Sequence, residues 1–148
     1  MAPSDRLKPV HDVAERREQS AAKLFGEARR ILKDQEDRLE QLLMFRQEYQ
    51  ERFDADMRGG ISATRLQEYQ AFLAKLEQAI GQQRAAVEMS RRESQEKKQH
   101  WQQKHVRTQA IGKAIDRFRK EEVHHRERVE QKETDEYAMR NARRKSSS

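Results

Sequence analysis

Apolar side chains recur along this chain with a seven-residue period, in two long runs separated by one interruption. In the first run one row reads Leu7, Ala14, Ala21, Ala28, Gln35, Leu42, Tyr49, and a companion row reads Val10, Arg17, Leu24, Ile31, Arg38, Phe45. In the second run the rows are Leu66, Leu73, Ile80, Val87, Ser94, Trp101, Thr108, Ile115 and Tyr69, Leu76, Gln83, Ser90, Lys97, Lys104, Ile111, Phe118. Such a period predicts α-helices that bury one narrow stripe each and wind into a left-handed supercoil. The interruption is Gly59-Gly60. Glycine takes positive φ at little cost and ends a helix there, and Ser62 or Thr64 is placed to cap the next. A linker this short brings the two helices side by side and antiparallel.

The predicted fold is all-α: one domain over 1–148, a long antiparallel two-helix coiled-coil hairpin with unequal arms. Helix 1 is expected at about 9–57, the turn at about 58–62, helix 2 at about 63–141 and a disordered basic tail at about 142–148. At 1.5 Å per residue the arms measure about 75 Å and about 120 Å. Pairing outward from the turn sets Leu42 opposite about Leu76 and Leu7 near Gly112. Helix 2 then overhangs beyond about residue 115, although Ile115, Phe118, Val129 and Met139 continue its apolar frame. A lone helix with apolar side chains calls for another surface.

The stripe is uneven. Ala21 and Ala28 on one side and Gln83, Ser90, Ser94 and Lys97 on the other bury little area, so the middle should open most readily. Near the turn the pattern is overfull, with two adjacent stripes per helix. One combines 39/43/53 with 69/73/80; the other combines 42/45/49 with 72/76/79. A two-stranded seam needs only about two residues in seven. The pattern leaves open whether both stripes pack or one stays exposed for a partner.

Composition excludes an ordinary globule. Charged residues make up 39% of the chain, hydrophobic ones 34%, and the mean hydropathy is −1.27. Helix formers dominate, and the two prolines, Pro3 and Pro9, fall near a helix start. There is no cysteine, hence no disulfide framework. No apolar run reaches the roughly 18 residues that span a bilayer, and "MAPSDRLKPV" lacks a signal-peptide core. The expected location is therefore cytoplasmic. The net charge of +6 arises from interspersed signs, except for the basic end "MRNARRKSSS".

The chemistry-bearing motifs are few. Walker, Rossmann and HExxH signatures are missing, and helical rods offer no concave pocket for a substrate. His100 and His105 stand five apart, a poor spacing for a shared metal, and the adjacent His124 and His125 point in different directions. No catalytic residue, metal or cofactor is expected. Trp101 lies on a frame row and reads as a seam residue. Arg91, Arg92, Lys97 and Lys98 could attract nucleic acid, but Glu88, Glu93 and Glu96 break up the patch and no aromatics interleave it. A basic coiled coil that binds nucleic acid remains an alternative reading, disfavoured on these grounds.

The segments "LEQLLMFRQEYQ", "DADMRGGI" and "RLQEYQAFLAKLEQAIGQQR", within residues 39–84, resemble the flagellar FliJ family. The chain length, both arms, the turn position and the basic end fit as well. The resemblance implies a non-enzymatic component of the bacterial flagellar type III export apparatus, similar in fold to the stalk subunit of rotary ATPases. It implies three partners: the hexameric export ATPase, whose ring it helps assemble; the cytoplasmic domain of the export gate; and flagellar export chaperones, which it escorts. It implies a place at the flagellar base, peripheral to the inner membrane through partners only, and no nucleic acid. The gate contact maps onto Leu42, Phe45, Tyr49, Phe72, Leu76 and Ala79, flanked by Arg38 and Gln83, which depart from the family pattern. By analogy with rotary stalks, the ATPase faces the end that carries Arg140, Arg143, Arg144 and Lys145. The equivalent stalk of a virulence secretion system is a further alternative.

Overall fold

A computed structural model describes residues 1–146. It contains two helices, α1 (Pro3–Gly59) and α2 (Ala63–Ser146), and no strand among the described residues. They are 57 and 84 residues long and pack against each other, so the fold is an all-α helical hairpin with unequal arms. The chain divides into two compact units. The turn unit is Ser20–Gln102; the terminal unit joins Met1–Gln19 to the α2 stretch from Gln103 onward.

The turn is closed by local chemistry. Gly60 has φ +85°, the left-handed conformation that ends a helix, and its N–H donates to the Met57 carbonyl at 3.3 Å. The Ser62 hydroxyl accepts from the Arg65 N–H at 3.2 Å and so caps α2. Thr64 already lies inside α2, so of the two cap candidates only Ser62 serves.

Both rows expected on α2 are buried or half-buried at every position, from Leu66 and Tyr69 to Ile115 and Phe118. On α1 only one expected row does the same, Leu7 through Tyr49. The companion row is a correction: Val10, Arg17, Leu24, Ile31, Arg38 and Phe45 are all exposed. The true companion lies four residues after the first row rather than three: His11, Glu18, Phe25, Leu32, Leu39, Arg46 and Phe53. Counting apolar residues does not separate the two rows, since each carries four, and the true one is disguised by His11, Glu18 and Arg46. Those three are tolerated at the seam because α2 offers them polar partners or space. Arg46 pairs with Glu77 at 3.0 Å, and Gln83 donates to the Gln35 side chain at 2.7 Å.

The seam therefore draws on both of the crowded stripes near the turn. Leu39 and Phe53 come from one, Leu42 and Tyr49 from the other, against Tyr69, Leu73, Leu76 and Ile80. Leu43 is left half-buried on one flank and Phe45 exposed on the other. Farther along, the most enclosed apolar positions of α1 are alanines, with Ala21 only 2% exposed. Small residues there let the backbones approach closely, with Ser94 buried on α2.

Both ends of the hairpin differ from expectation. Helix α1 starts at Pro3 and continues through Pro9. An internal proline forfeits a hydrogen bond and costs about 3 kcal/mol, so the first turns need outside support. Glu122 supplies it: Ser4 donates to its carboxylate from its N–H at 3.1 Å and from its hydroxyl at 2.8 Å. With α1 reaching this far, Ile115 is buried and Phe118 half-buried. The overhang thus begins after Glu122 rather than near residue 115, and beyond it nearly every side chain is exposed. Helix α2 runs through Ser146, so residues 142–146 are helical where a disordered tail was expected. The rest of that expected tail, 147–148, lies outside the described residues.

Candidate partner-binding site

In the turn unit the heptad rows bring five aromatic rings into one ladder. Tyr49 sits at its centre, 4.4 Å from Phe72 and 5.2 Å from Tyr69 between ring centroids. Phe53 meets Tyr69 edge-on at 5.2 Å, and Phe45 meets Phe72 edge-on at 6.0 Å. Offset and edge-on contacts of this kind exceed plain area burial by about 0.5–1.5 kcal/mol per pair. One end of the ladder is anchored. The Tyr69 hydroxyl donates to Asp56, which also pairs with Arg65 at 3.2 Å, and the Arg65 guanidinium lies over the Tyr69 ring. Burial pushes the Tyr49 hydroxyl's pKa up, so this ring stays neutral at any working pH.

The other end of the ladder is open to solvent. Phe45 is 45% exposed and Phe72 37%, and the two rings touch each other. Of the six residues that the resemblance marks for the gate, these two are the exposed ones. Leu42, Tyr49 and Ala79 are half-buried beside them. Leu76 is 6% exposed and belongs to the seam beneath. Of the flanking residues, Arg38 is exposed and Gln83 is spent on Gln35. Trp101, also in this unit, is half-buried and stacks on Phe25 at 6.2 Å, as a seam residue should.

The terminal unit has a different seam. Glu18 bonds to His105 across the helix pair, with Thr108 buried alongside. The bond from His105 draws the Glu18 carboxyl below its ordinary value, against the partial burial that pushes it up. The two bonds from Ser4 do the same to Glu122. His11 packs against Gly112, whose missing side chain gives the ring room. Sequence reasoning missed this polar clasp. His105 was weighed only as a metal ligand, and Glu18 and Ser4 not at all; the available signal was that all three, with Glu122, fall on extensions or flanks of the heptad rows.

Arg140, Arg143, Arg144 and Lys145 are exposed on the last turns of α2. Cations there suit the negative end of the helix dipole. Among the described residues one group has metal-like spacing, His11 with Asp12 and Glu15. Both carboxylates are exposed and lie 3.9 and 4.0 Å from the imidazole, an arrangement that helix-surface pairing accounts for. No helix among the described residues is long and apolar enough to cross a membrane.

A profile of the flagellar FliJ protein matches residues 3–147. The Flagellar FliJ protein of Salmonella typhi is 34% identical over 145 residues, covering 98% of this chain and 99% of that one. The Flagellar FliJ protein of Escherichia coli strain K12 is 33% identical over the same span, with the same coverage. No solved structure matches the chain. A match along almost the full length of both proteins leaves no separate region to explain, and the chain belongs to the flagellar FliJ family.

Proposed function

We propose that this protein is a non-enzymatic stalk and adaptor of the flagellar type III export apparatus. It promotes assembly of the export ATPase ring, contacts the export gate to couple energy to export, and escorts export chaperones. Family membership supports the flagellar assignment over a virulence secretion system or a nucleic-acid-binding coiled coil. In this reading it works on the cytoplasmic side of the inner membrane, held there by its partners.

The gate contact is assigned to Leu42, Phe45, Tyr49, Phe72, Leu76 and Ala79. One observation carries this choice: Phe45 and Phe72 form an exposed aromatic pair packed on a ladder of half-buried and buried rings. Rings held in place before binding lose little entropy on contact, which is what an interface anchor requires. Leu76 acts from below, by holding Phe72 in position. The ATPase-facing assignment goes to Arg140, Arg143, Arg144 and Lys145, supported by their exposure at the basic end of α2.

The test is a pull-down against the gate's cytoplasmic domain, paired with thermal melts. Phe72→Ala and Phe45→Ala should each reduce capture at least tenfold while the helical signal and melting temperature stay near wild type. Undiminished capture by the double variant would remove the gate assignment. Replacing the four basic residues near the end of α2 should weaken ATPase capture and spare gate capture.

A further inference from the structure

The α1 row expected at the seam but exposed in the fold has one concentrated feature, and it lies within the terminal unit. Pro9, Val10, Val13 and Ala14 line a groove of about 300 Å³, with Arg17 and Arg107 at its rim. Val10 and Val13 are exposed large apolar residues, and Ala14 forms a buried floor. The two arginines come from different helices and stand on the same side of the seam. In an antiparallel pair, flanking positions of this kind normally carry opposite charges. Here they carry like charges. Neither arginine has a carboxylate at ion-pair distance among the described residues; Glu18, the chain neighbour of Arg17, is turned to His105. Elsewhere the fold does pair its arginines across the helices, Arg46 with Glu77 and Arg65 with Asp56.

We infer that this groove is a docking site for an acidic amphipathic helix of a partner protein. One aliphatic side chain of that helix enters between Val10 and Val13, and a carboxylate one turn away sits between Arg17 and Arg107. Charge complementarity selects this occupant. A neutral apolar helix would leave both guanidinium groups at the edge of a newly dried surface, which is costly. A second copy of this chain would bring its own basic face. The carboxylate relieves the repulsion between the arginines and, being planar, suits bidentate guanidinium contacts. This inference does not rest on the gate assignment, which concerns the turn unit.

The test uses the full-length chain and a fluorescently labelled 18-residue helical peptide with Leu and Glu on one face, followed by fluorescence anisotropy. A matched peptide has each Glu replaced by Gln. The wild-type chain should bind the acidic peptide at least tenfold more tightly than the Gln peptide, and added salt should narrow the gap. Arg17→Glu should abolish that preference and raise the melting temperature, because the new carboxylate faces Arg107. Val13→Asp, with helicity checked by circular dichroism, should weaken both peptides. Equal binding of the two peptides, no binding at millimolar peptide, or an Arg17→Glu chain that still prefers the acidic one would overturn the inference. So would sedimentation showing that wild type self-associates through this face and that Val13→Asp dissolves the dimer.

Discussion

The two units hold the same pair of helices together by different means. Near the turn the seam of the turn unit is aromatic and aliphatic: Tyr49, Phe53, Tyr69, Leu76 and Ile80 exclude water, and farther along its polar members are chiefly neutral, the Gln35–Gln83 pair and buried Ser94. In the terminal unit the corresponding rows carry Ser4, His11, Glu18, Thr108 and Glu122, and two carboxylates are bonded across the helices, Glu122 by Ser4 and Glu18 by His105. Apolar burial is non-directional and accumulates with area, whereas a carboxylate bond depends on geometry and on charge state. The turn unit should therefore behave as a fixed platform, and the terminal unit as a region that is well ordered but conditionally so. A partner that anchors on rings benefits from the first property. One that must engage an end of the molecule and release it benefits from the second.

The comparison is tested most severely in the turn unit. Ile80 is only 2% exposed, and Ile80→Ala should cost about 2–4 kcal/mol. Phe72 lies eight residues earlier on the same helix and is 37% exposed, and Phe72→Ala should cost under about 1 kcal/mol. The check is a pair of thermal melts by circular dichroism. Equal losses would show that Phe72 is as structural as Ile80 and that the platform has no separate outer layer.

Acid should separate the units next. Glu18 and Glu122 both have carboxyl pKa values lowered in the fold relative to the ordinary value of 4.5. A lowered folded pKa means the stabilisation is complete above the unfolded value and fades as pH falls through it toward the folded one. Protonation also weakens the pair of bonds from Ser4, because it cancels the carboxylate charge and turns one of the two accepting oxygens into a donor. Amide exchange should accordingly show the first turns of α1 losing protection as pH drops below about 4.5, ahead of residues 39–53, whose seam carries fewer carboxylates. Both groups are near solvent, so the effect is local fraying and not global unfolding. Simultaneous loss of protection in both units would remove the distinction.

Most of the fold was legible because a heptad repeat is a strong signal and the glycine break is unique. The first α2 row was readable because polar residues interrupt it singly; the second carries four in succession, Gln83, Ser90, Lys97 and Lys104, and was readable from its apolar ends. The α1 companion row was not, since Val10, Leu24, Ile31 and Phe45 imitate a seam while His11, Glu18 and Arg46 disguise the real one. That error concerns pairing. Whether a polar residue belongs inside depends on what faces it, and the facing residue lies tens of positions away in the sequence. The same reason hid the Ser4–Glu122 bonds and hence the true start of α1. At the candidate site the six residues read alike as apolar or aromatic, and only the packing separates Leu76 beneath from Phe45 and Phe72 above.

The smallest effect concerns how the turn unit is closed, which local backbone geometry decides with no help from either seam. Gly59 and Gly60 look equivalent in sequence, and neither has an atom within 4 Å of where a Cβ would sit. Their backbones differ: Gly60 alone has φ +85°, while Gly59 is the last residue of α1. Gly60→Ala should thus cost about 1 kcal/mol from forcing a Cβ into the left-handed region. Gly59→Ala should be neutral or stabilise by a few tenths of a kcal/mol, because alanine favours helix and restricts the unfolded chain. Denaturant titrations of the two variants distinguish these outcomes. Equal costs would mean that the turn depends on flexibility at both glycines, and the tip would then be a hinge instead of a fixed end to the aromatic platform.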